Sequence, residues 1–321
     1  MATAEQIKML IHSHLEKNND RFRTVVLQLA AYEAKQGHTA FARDIRTLID
    51  NAKPGTGKVL LFNKDLGELI HSKIAENRIA ELVVPGDLRV RIERIMNEYR
   101  QQGKLKKHGM NNRRKILFTG PPGTGKTMTT SVLASELHLP LCTVMMDKLV
   151  TKYMGETSTK LRQIFEIITE NQAVYLFDEF DAIGSERSLD NDVGEMRRVL
   201  NSFLQFIEQD ESKSLIVAAT NNPKLLDHAL FRRFDDVLHF KLPEESEIQR
   251  LILNRLGSFA SRELSLQEII KKSASLSHAE IARACDDAIK EAILNDSSTV
   301  NESVLFKMIE ERHAAYQRGE N

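Results

Sequence analysis

The sequence lacks the features that tie a protein to a membrane or to an oxidising compartment. None of its apolar stretches approaches the length that crosses a bilayer, and residues 1–17 carry charge throughout, without the apolar core of a secretion signal. Cysteine is scarce: Cys142 and Cys285 are the two in 321 residues, and both lie in contexts typical of small buried side chains in a reduced protein. We therefore expect a cytoplasmic protein without a membrane span.

An excess of charge and the motifs of a protease are missing as well. The 45 basic residues balance 45 acidic ones, so nothing in the overall charge indicates DNA or an anionic membrane as the main partner. A His-Glu-x-x-His zinc motif does not occur, and no Ser/His/Asp arrangement stands out. Any proteolysis would need a separate protein. The composition, 41% hydrophobic and 28% charged, is that of a globular protein.

Hydrophobic periodicity divides the chain into four predicted parts. Residues 1–52 have three amphipathic helical patterns, which predict a small helical domain suited to holding a substrate or an adaptor. A Lys-Pro-Gly-Thr-Gly turn signal opens a predicted linker over 53–79. Strand and helix patterns alternate over 80–242, the predicted large domain. The pattern over 243–321 is purely helical and predicts a smaller helical lid.

Within the large domain, short apolar runs alternate with helical patterns. Such runs, joined by helices, predict a five-stranded parallel sheet covered by helices on both faces. The predicted strands are 116–119, 141–145, 173–177, 215–219 and 237–240. The helices between them are predicted near 126–137, 156–170 and 195–209.

A glycine-rich loop joins the first of these strands to the first helix. From Gly120 to Thr127 it reads Gly-Pro-Pro-Gly-Thr-Gly-Lys-Thr, which satisfies the phosphate-binding pattern G-x-x-x-x-G-K-[ST]. Glycines let backbone N–H groups converge on phosphate oxygens, and the helix N-terminus adds partial positive charge. Lys126 is expected to reach the β- and γ-phosphates, and Thr127 to coordinate Mg²⁺. Alone the loop indicates ATP or GTP. The predicted nucleotide-binding residues are Pro122, Gly123, Thr124, Gly125, Lys126, Thr127 and Met128.

Two acidic residues stand at the end of a predicted central strand. Four apolar residues, 174–177, precede Asp178 and Glu179. Ligands of open α/β sheets lie at the carboxyl ends of the strands, so Asp178 is predicted to hold Mg²⁺, directly or through water. Glu179 is predicted to act as general base on the attacking water. The alternative is an acid pair that only caps the next helix.

Polar residues also flank the last two predicted strands. Asn221 follows the fourth strand and is predicted to hydrogen-bond the attacking water or the γ-phosphate, although an Asn after a strand is often a turn residue. Arg232 and Arg233 precede the last strand. An arginine from a neighbouring subunit can neutralise charge in a phosphoryl-transfer transition state. The alternative is a local salt bridge to Asp235 or Asp236.

In this order and spacing, the four elements resemble the AAA+ ATPases, in particular the group with a second region of homology that includes protein unfoldases, membrane-protein extractors and microtubule severers. The resemblance covers residues 80–315. It implies a Mg²⁺-dependent ATPase that forms a homo-oligomeric ring, a hexamer in the family. Asn221 matches the sensor-1 position, and Arg232 and Arg233 match the arginine fingers. Many relatives have Arg-x-Gly-Arg-Phe-Asp instead of adjacent arginines, so the dominant finger stays open.

Two further segments take their predicted roles from the resemblance. Lys152, Tyr153 and Met154, followed by Gly-Glu, resemble the pore loop of substrate-threading members, in which an aromatic side chain grips an extended chain. Residues 184–192 correspond to a second pore loop. His278 stands where the family often has a glycine near the adenine; it either contacts the base or ribose, or starts a helix.

The sequence therefore predicts ATP hydrolysis coupled to remodelling, unfolding or threading of a protein substrate. A short helical N-terminal domain followed by one AAA+ module is similar to small bacterial ATPases that travel with a subtilisin-like protease, which implies a separately encoded protease as partner. The alternative function is a nucleotide-gated assembly switch that threads nothing. The locally basic stretch 104–115 keeps a DNA-associated version of this switch open.

Overall fold

The computed structural model describes residues 4–15, 19–36, 38, 41–45, 60, 64–149, 156–180, 192–225, 231–261 and 264–317. The chain forms two compact units, Met1–Thr56 and Gly57–Asn321. The first unit contains helices α1 (Ala4–Leu15) and α2 (Asn19–Lys35), and residues 41–45 are also helical. In α2 the buried apolar side chains are Val25, Leu29 and Ala30, a spacing that forms one helical stripe.

The second unit alternates strands and helices and then becomes helical. Its described strands are β1 (Ile70–Lys73), β2 (Lys115–Thr119), β3 (Leu141–Val144), β4 (Val174–Phe177), β5 (Leu215–Thr220) and β6 (Asp236–His239). Its described helices are α3 (Lys64–Leu69), α4 (Gly86–Arg100), α5 (Gln102–Lys107), α6 (Lys126–Glu136), α7 (Met146–Leu149), α8 (Glu156–Glu170), α9 (Asp192–Gln209), α10 (Glu245–Leu256), α11 (Gln267–Ser273), α12 (His278–Leu294) and α13 (Glu302–Gln317).

The sheet confirms the predicted five parallel strands and adds a sixth. Its order is β1-β3-β4-β5-β2-β6, and the pairings among β2 to β6 are all parallel. The added strand, β1, pairs antiparallel with β3 at one edge, inside the stretch 53–79 that the sequence predicts as a linker. Among its four residues only Ile70 is buried, so β1 has almost no hydrophobic pattern to reveal it.

Helices cover both faces of the sheet, as predicted. On one face, buried residues of α8 and α9 pack against alternate strand residues such as Tyr175 and Phe177. On the other face, buried residues of α4 and α6 pack against the intervening residues, Val174 and Leu176 among them. Because β4 is covered on both faces, all of its side chains are apolar and buried.

The helical C-terminal region has a core of its own. Helices α10 to α13 contribute the fully buried side chains of Ile252, Ile269, Ile281 and Leu305 to this core. Arg255 on α10 forms two hydrogen bonds with the carboxylate of Asp286 on α12, at 2.6 and 2.7 Å. This region follows β6 directly along the chain. One of its helices, α12, begins beside the glycine-rich loop.

Candidate active site

The loop between β2 and α6 has a backbone that requires glycine. Gly120, Gly123 and Gly125 all have positive φ angles, at 143°, 73° and 96°. A Cβ atom on Gly120 would lie 2.2 Å from the carbonyl oxygen of Phe240, a distance that no side chain tolerates. Glycine therefore serves both the left-handed backbone and the close approach of the chain that follows β6.

Lys126 begins α6 and turns back beneath this loop. Its ammonium group donates hydrogen bonds of 2.7 Å to the carbonyl oxygens of Gly120 and Pro121, and the residue is 6% exposed. Thr124 also donates to the carbonyl of Pro121, at 2.7 Å. The loop thus surrounds an ammonium group at the N-terminus of a helix. This positive, glycine-lined cradle fits the phosphate groups of a nucleotide.

A hydroxyl and a carboxylate meet beside the loop. The side chain of Thr127 donates a 2.7 Å hydrogen bond to Oδ2 of Asp178, the residue that follows β4. Oxygen ligands of this kind suit Mg²⁺, which usually binds one or two protein groups, water and the substrate's phosphates. Among the described residues, no group of three or more His, Cys, Asp or Glu side chains could hold a metal ion by itself. The residues present fit a cation that arrives with a nucleotide.

Glu179 adopts an uncommon backbone conformation at the same edge of the sheet. Its φ angle is 52°, in the left-handed region that side chains other than glycine rarely adopt, and its N–H donates a 3.0 Å hydrogen bond to Oδ1 of Asp178. The side chain is exposed. A conformation of this kind costs about 1–3 kcal/mol and recurs at functional sites, because surrounding structure must hold it in place.

Asn221 follows β5, which lies between β4 and β2. The register aligns Thr119 with Thr220 and Phe177 with Ala218, so β2 and β5 end level with each other and β4 ends two residues earlier. Asn221 is exposed there. The structure therefore brings together, at the carboxyl edge of the sheet, the predicted phosphate loop, the two acids and the asparagine.

The helical C-terminal region contacts the loop through backbone atoms. The N–H of Ala279 donates a 3.0 Å hydrogen bond to the carbonyl of Gly123. A Cβ atom on Gly123 would lie 2.4 Å from the hydroxyl oxygen of Ser277, which caps the N-terminus of α12. The two ends of the predicted nucleotide-binding segment differ in exposure. Pro122 is exposed, and Met128 is half-buried against the sheet.

His278 is the first residue of α12 and is buried. It is 7% exposed, and neither ring nitrogen has a hydrogen-bond partner in the described part of the chain. Burial lowers the pKa of this imidazole from its ordinary value to about 4, so the ring is neutral at pH 7. His278 thus starts the helix, as one reading of the sequence expects. Its contact with a base stays a prediction.

Arg232 and Arg233 lie at the opposite end of the strands from the phosphate loop. Both are exposed and precede β6, which runs parallel to β2 with Ile116 aligned to Asp236. The phosphate loop follows the far end of β2. A five-residue strand spans about 16 Å, so Arg232 and Arg233 are separated from their own chain's loop by about that length.

The two aspartates beside the arginines are engaged elsewhere. Oδ2 of Asp235 accepts 2.9 Å hydrogen bonds from the backbone N–H groups of Arg114 and Lys115. Asp236 forms an ion pair with Arg91 on α4. The local salt bridges that the sequence allows between the arginines and these aspartates are therefore not formed.

Arg233 pairs instead with a residue that no motif indicates. Its guanidinium forms an ion pair with Glu208, one residue before the end of α9. Sequence reasoning missed Glu208 because an exposed acid near a helix end has no pattern of its own. It also missed the contact between Gly123 and α12, which uses backbone atoms.

The predicted pore-loop residues lie outside the described residues. Lys152, Tyr153 and Met154 fall between the end of α7 at Leu149 and the start of α8 at Glu156. The predicted second pore loop, 184–192, is likewise outside the described chain except for its last residue, where α9 begins.

Comparison with known proteins assigns the chain to a family. Residues 116–242 match the family described as ATPase family associated with various cellular activities (AAA). An uncharacterized AAA family ATPase of Sinorhizobium fredii, y4kL, is 34% identical over 313 residues, which cover 94% of this chain and 93% of that protein. The chain belongs to the AAA family of ATPases, as its motifs predict. Membership of a family of ATPases implies ATP hydrolysis.

More distant relatives have more specific names. A putative 26S proteasome regulatory subunit homolog of Methanothermobacter thermautotrophicus is 31% identical over 205 residues, 62% of this chain and 55% of that protein. The ATP-dependent zinc metalloprotease FtsH 2 of a Thermoanaerobacter species is 30% identical over 215 residues, 64% of this chain and 42% of that protein. In the described part of the chain, no helix is both long and apolar enough to cross a membrane.

Proposed function

We propose that the protein couples ATP hydrolysis to the remodelling or unfolding of a protein substrate, which it threads through the pore of a homo-oligomeric ring, a hexamer in our proposal. The observation that supports the ring is the position of Arg232 and Arg233, one strand length of ~16 Å from their own chain's phosphate loop. Arginines in that position can serve the site of another copy.

Within one site, each polar group has a separate role. A bound Mg²⁺ supplies charge neutralisation at the phosphates, and Thr127 and Asp178 are the residues that would hold it. Lys126 binds the β- and γ-phosphate oxygens. Glu179 accepts a proton from the attacking water, and Asn221 orients that water by a hydrogen bond.

The remaining nucleotide contacts come from the loop and from α12. The loop over Pro122, Gly123, Thr124 and Gly125 surrounds the phosphates, and the donors are the backbone N–H groups of the last three, since proline has none. Met128 lies one turn further on. His278 contacts the base or the ribose. Its buried ring nitrogens support this role, because each gains a hydrogen-bond partner when a polar group of the nucleotide is near.

The names of relatives support a protein as the substrate. The regulatory subunit homolog and FtsH 2 are both named for protein degradation, and a further relative is the peroxisomal ATPase PEX6 of Penicillium chrysogenum, 32% identical over 209 residues. This chain has no His-Glu-x-x-His motif. We therefore propose a separately encoded protease as the enzyme that degrades the unfolded substrate.

The proposed contact with the substrate is the segment of Lys152, Tyr153 and Met154. An aromatic ring can hold an extended chain by its backbone and apolar side chains, without a sequence requirement. The test compares the wild-type protein with Tyr153→Ala in ATPase activity and in ATP-dependent unfolding of a fluorescent protein with an unstructured tail. We expect Tyr153→Ala to bind ATP normally and to lose unfolding at least about tenfold, since removal of an aromatic anchor from a protein contact costs about 2 kcal/mol or more.

Tyr153→Phe is the matched control, because it keeps the ring and removes only the hydroxyl. It should unfold the probe at nearly the wild-type rate. Unfolding by Tyr153→Ala at the wild-type rate would exclude threading through this segment.

A second function, a nucleotide-gated switch associated with DNA, has one observation in its favour. Lys104, Lys106 and Lys107 on α5 are exposed, and none of them forms an ion pair within the described residues. Binding to a DNA duplex that weakens steeply with salt would support the switch. Stimulation of the ATPase by an unfolded protein, without stimulation by DNA, would support remodelling instead.

A further inference from the structure

The two adjacent arginines differ in what they contact. Arg233 is paired with Glu208, and these two side chains are 41% and 50% exposed. Arg232 is also exposed, but its guanidinium forms neither an ion pair nor a hydrogen bond with any residue that the structure describes. The two residues are therefore not equivalent, although the sequence presents them as a pair.

The chain on the C-terminal side of the arginines is held against the sheet. Phe234 is 7% exposed and belongs to the core on the α8 and α9 face. Asp235 accepts hydrogen bonds from the backbone N–H groups of Arg114 and Lys115, at the start of β2. These contacts fix the backbone that leads away from Arg233.

Glu208 stands on an equally rigid support. The residue before it, Ile207, and Phe203 one turn earlier are fully buried in the same core. The ammonium group of Lys115 donates a 3.4 Å hydrogen bond to the backbone carbonyl of Glu208. The carboxylate that pairs with Arg233 is therefore attached to a helix whose position the core determines.

We propose that Glu208 is a positioning residue: it retains Arg233 on its own subunit, so that Arg232 is the arginine that reaches the nucleotide of the neighbouring subunit. This inference rests on the proposed function, in which the segment acts across a subunit interface. Arg233 then orients the turn that carries Arg232 and does not itself contact the phosphates.

The two roles differ in the size of effect that each allows. An exposed ion pair, such as that of Arg233 with Glu208, changes the equilibrium between the paired and unpaired conformations by no more than about fivefold. An arginine that neutralises transition-state charge in phosphoryl transfer changes kcat by about a thousandfold or more. Single substitutions can therefore separate an arginine that positions from one that acts on the phosphates.

The first experiment measures kcat and KM for ATP in single variants of the full chain. We expect Arg232→Ala to lower kcat at least about a thousandfold. Arg233→Gln and Glu208→Gln should each lower kcat by no more than about fivefold, with KM unchanged. Glu166→Gln, which removes an exposed carboxylate from α8, is the matched control and should match the wild type.

The second experiment exchanges the charges of the pair. Arg233→Glu alone places two carboxylates together and should lower kcat about tenfold, more than loss of the pair alone. Adding Glu208→Arg restores the ion pair with its direction reversed, and kcat should return to within about threefold of the wild type. If the doubly exchanged protein stays as slow as Arg233→Glu, a guanidinium is needed at position 233 itself, and the inference is wrong.

A mixing experiment separates this inference from the proposed function. Subunits with Arg232→Ala keep Glu179, and subunits with Glu179→Gln keep Arg232. Mixed oligomers should therefore be more active than either variant alone, because some interfaces have both groups. Absence of this recovery would exclude action across the interface, and with it the proposed function. Recovery combined with a failed charge exchange would overturn only the role assigned to Glu208.

Discussion

The hydroxyl of Thr127 and the carboxylate of Asp178 are joined by a 2.7 Å hydrogen bond, although 51 residues separate them in the chain. One belongs to the first turn of α6 and the other follows β4. Because β4 and β2, the strand that leads into α6, belong to one sheet, the two side chains lie side by side. The sequence predicts that this hydroxyl and this carboxylate hold the same cation. The contact therefore identifies the two side chains whose substitution tests the proposed Mg²⁺ site.

Loss of the Thr127 hydroxyl should raise the Mg²⁺ concentration that the ATPase needs. Thr127→Val keeps the shape of the side chain and removes one oxygen ligand and the hydrogen bond to Asp178. We expect the half-maximal Mg²⁺ concentration to rise about tenfold, the order of effect for one ligand or its orienting partner. Titration of ATPase activity with Mg²⁺ measures it. Thr169→Val on α8 is the control, and an unchanged titration of Thr127→Val would argue against this ligand.

Glu179→Gln should separate nucleotide binding from hydrolysis. The amide keeps the size of the side chain but cannot accept the proton of the attacking water, so kcat should fall by about 10² to 10⁴. Affinity for ATP should stay within about threefold, because the phosphate loop is unchanged. Single-turnover hydrolysis and equilibrium binding measure the two quantities. Glu170→Gln, at the end of α8, is the control for loss of one exposed carboxylate.

Gly123→Ala should disturb the contact between the loop and the helical C-terminal region. The new Cβ would lie 2.4 Å from the hydroxyl oxygen of Ser277, at a φ angle of 73° that disfavours side chains. We expect a loss of about 1–3 kcal/mol in the free energy of unfolding, together with weaker ATP binding. Urea denaturation and nucleotide titration measure these effects.

Gly86→Ala is the matched control for that substitution. A Cβ on Gly86 would meet no atom within 4 Å, and the residue lies in the first turn of α4. Its stability should be equal to that of the wild type or slightly higher, because alanine favours a helix. Equal behaviour of the two alanine variants would mean that the loop and α12 are not in contact in solution.

His278 should make folding stability depend on pH. Its pKa is lowered to about 4 in the folded protein by burial, whereas the unfolded chain has the ordinary value of 6.5. Between these values the unfolded chain binds the proton and the folded protein does not. Stability is therefore lost as the pH falls from about 6.5 towards 4, with a slope of up to about 1.4 kcal/mol per pH unit from this group.

The measurement compares the wild type with His278→Phe in urea denaturation at pH 7 and at pH 5. Phenylalanine cannot take up a proton, so the stability lost on acidification should be smaller in the variant. The difference between the two proteins isolates His278 from other titrating groups. Equal losses would show that the ring is not buried in solution.

The parts of the site that depend on local pattern were predictable from the sequence. A run of buried residues over β4 followed by Asp178 and Glu179 marks a central strand and its ligand end, and a glycine-rich loop before a helix marks a phosphate cradle. Both patterns are local. The apolar run arises because a parallel strand is covered on both faces, and the glycine-rich loop arises from the geometry of a helix N-terminus. The parallel sheet was predictable from the alternation of apolar runs with helical patterns.

The rest depends on residues far apart in the chain. The sequence around Arg232 and Arg233 does not decide whether they pair with Asp235. The carboxylate of Asp235 accepts hydrogen bonds from the backbone of Arg114 and Lys115, which lie 121 and 120 residues away in the chain. The edge strand β1 was missed since a single buried residue does not form a pattern. Contacts made by backbone atoms, such as that between Gly123 and α12, have no side-chain signature at all.

The polarity of the sheet limits how copies of this chain can associate to complete a site. Each copy has its phosphate loop at one end of the strands and its arginines at the opposite end. A two-fold dimer makes every contact twice, so it completes the site only if the loop and the arginines belong to one self-complementary patch. With the two groups on separate surfaces, the assembly that completes the site is head to tail, and a contact of that kind repeats until rotation closes it into a ring or leaves it as an open helix.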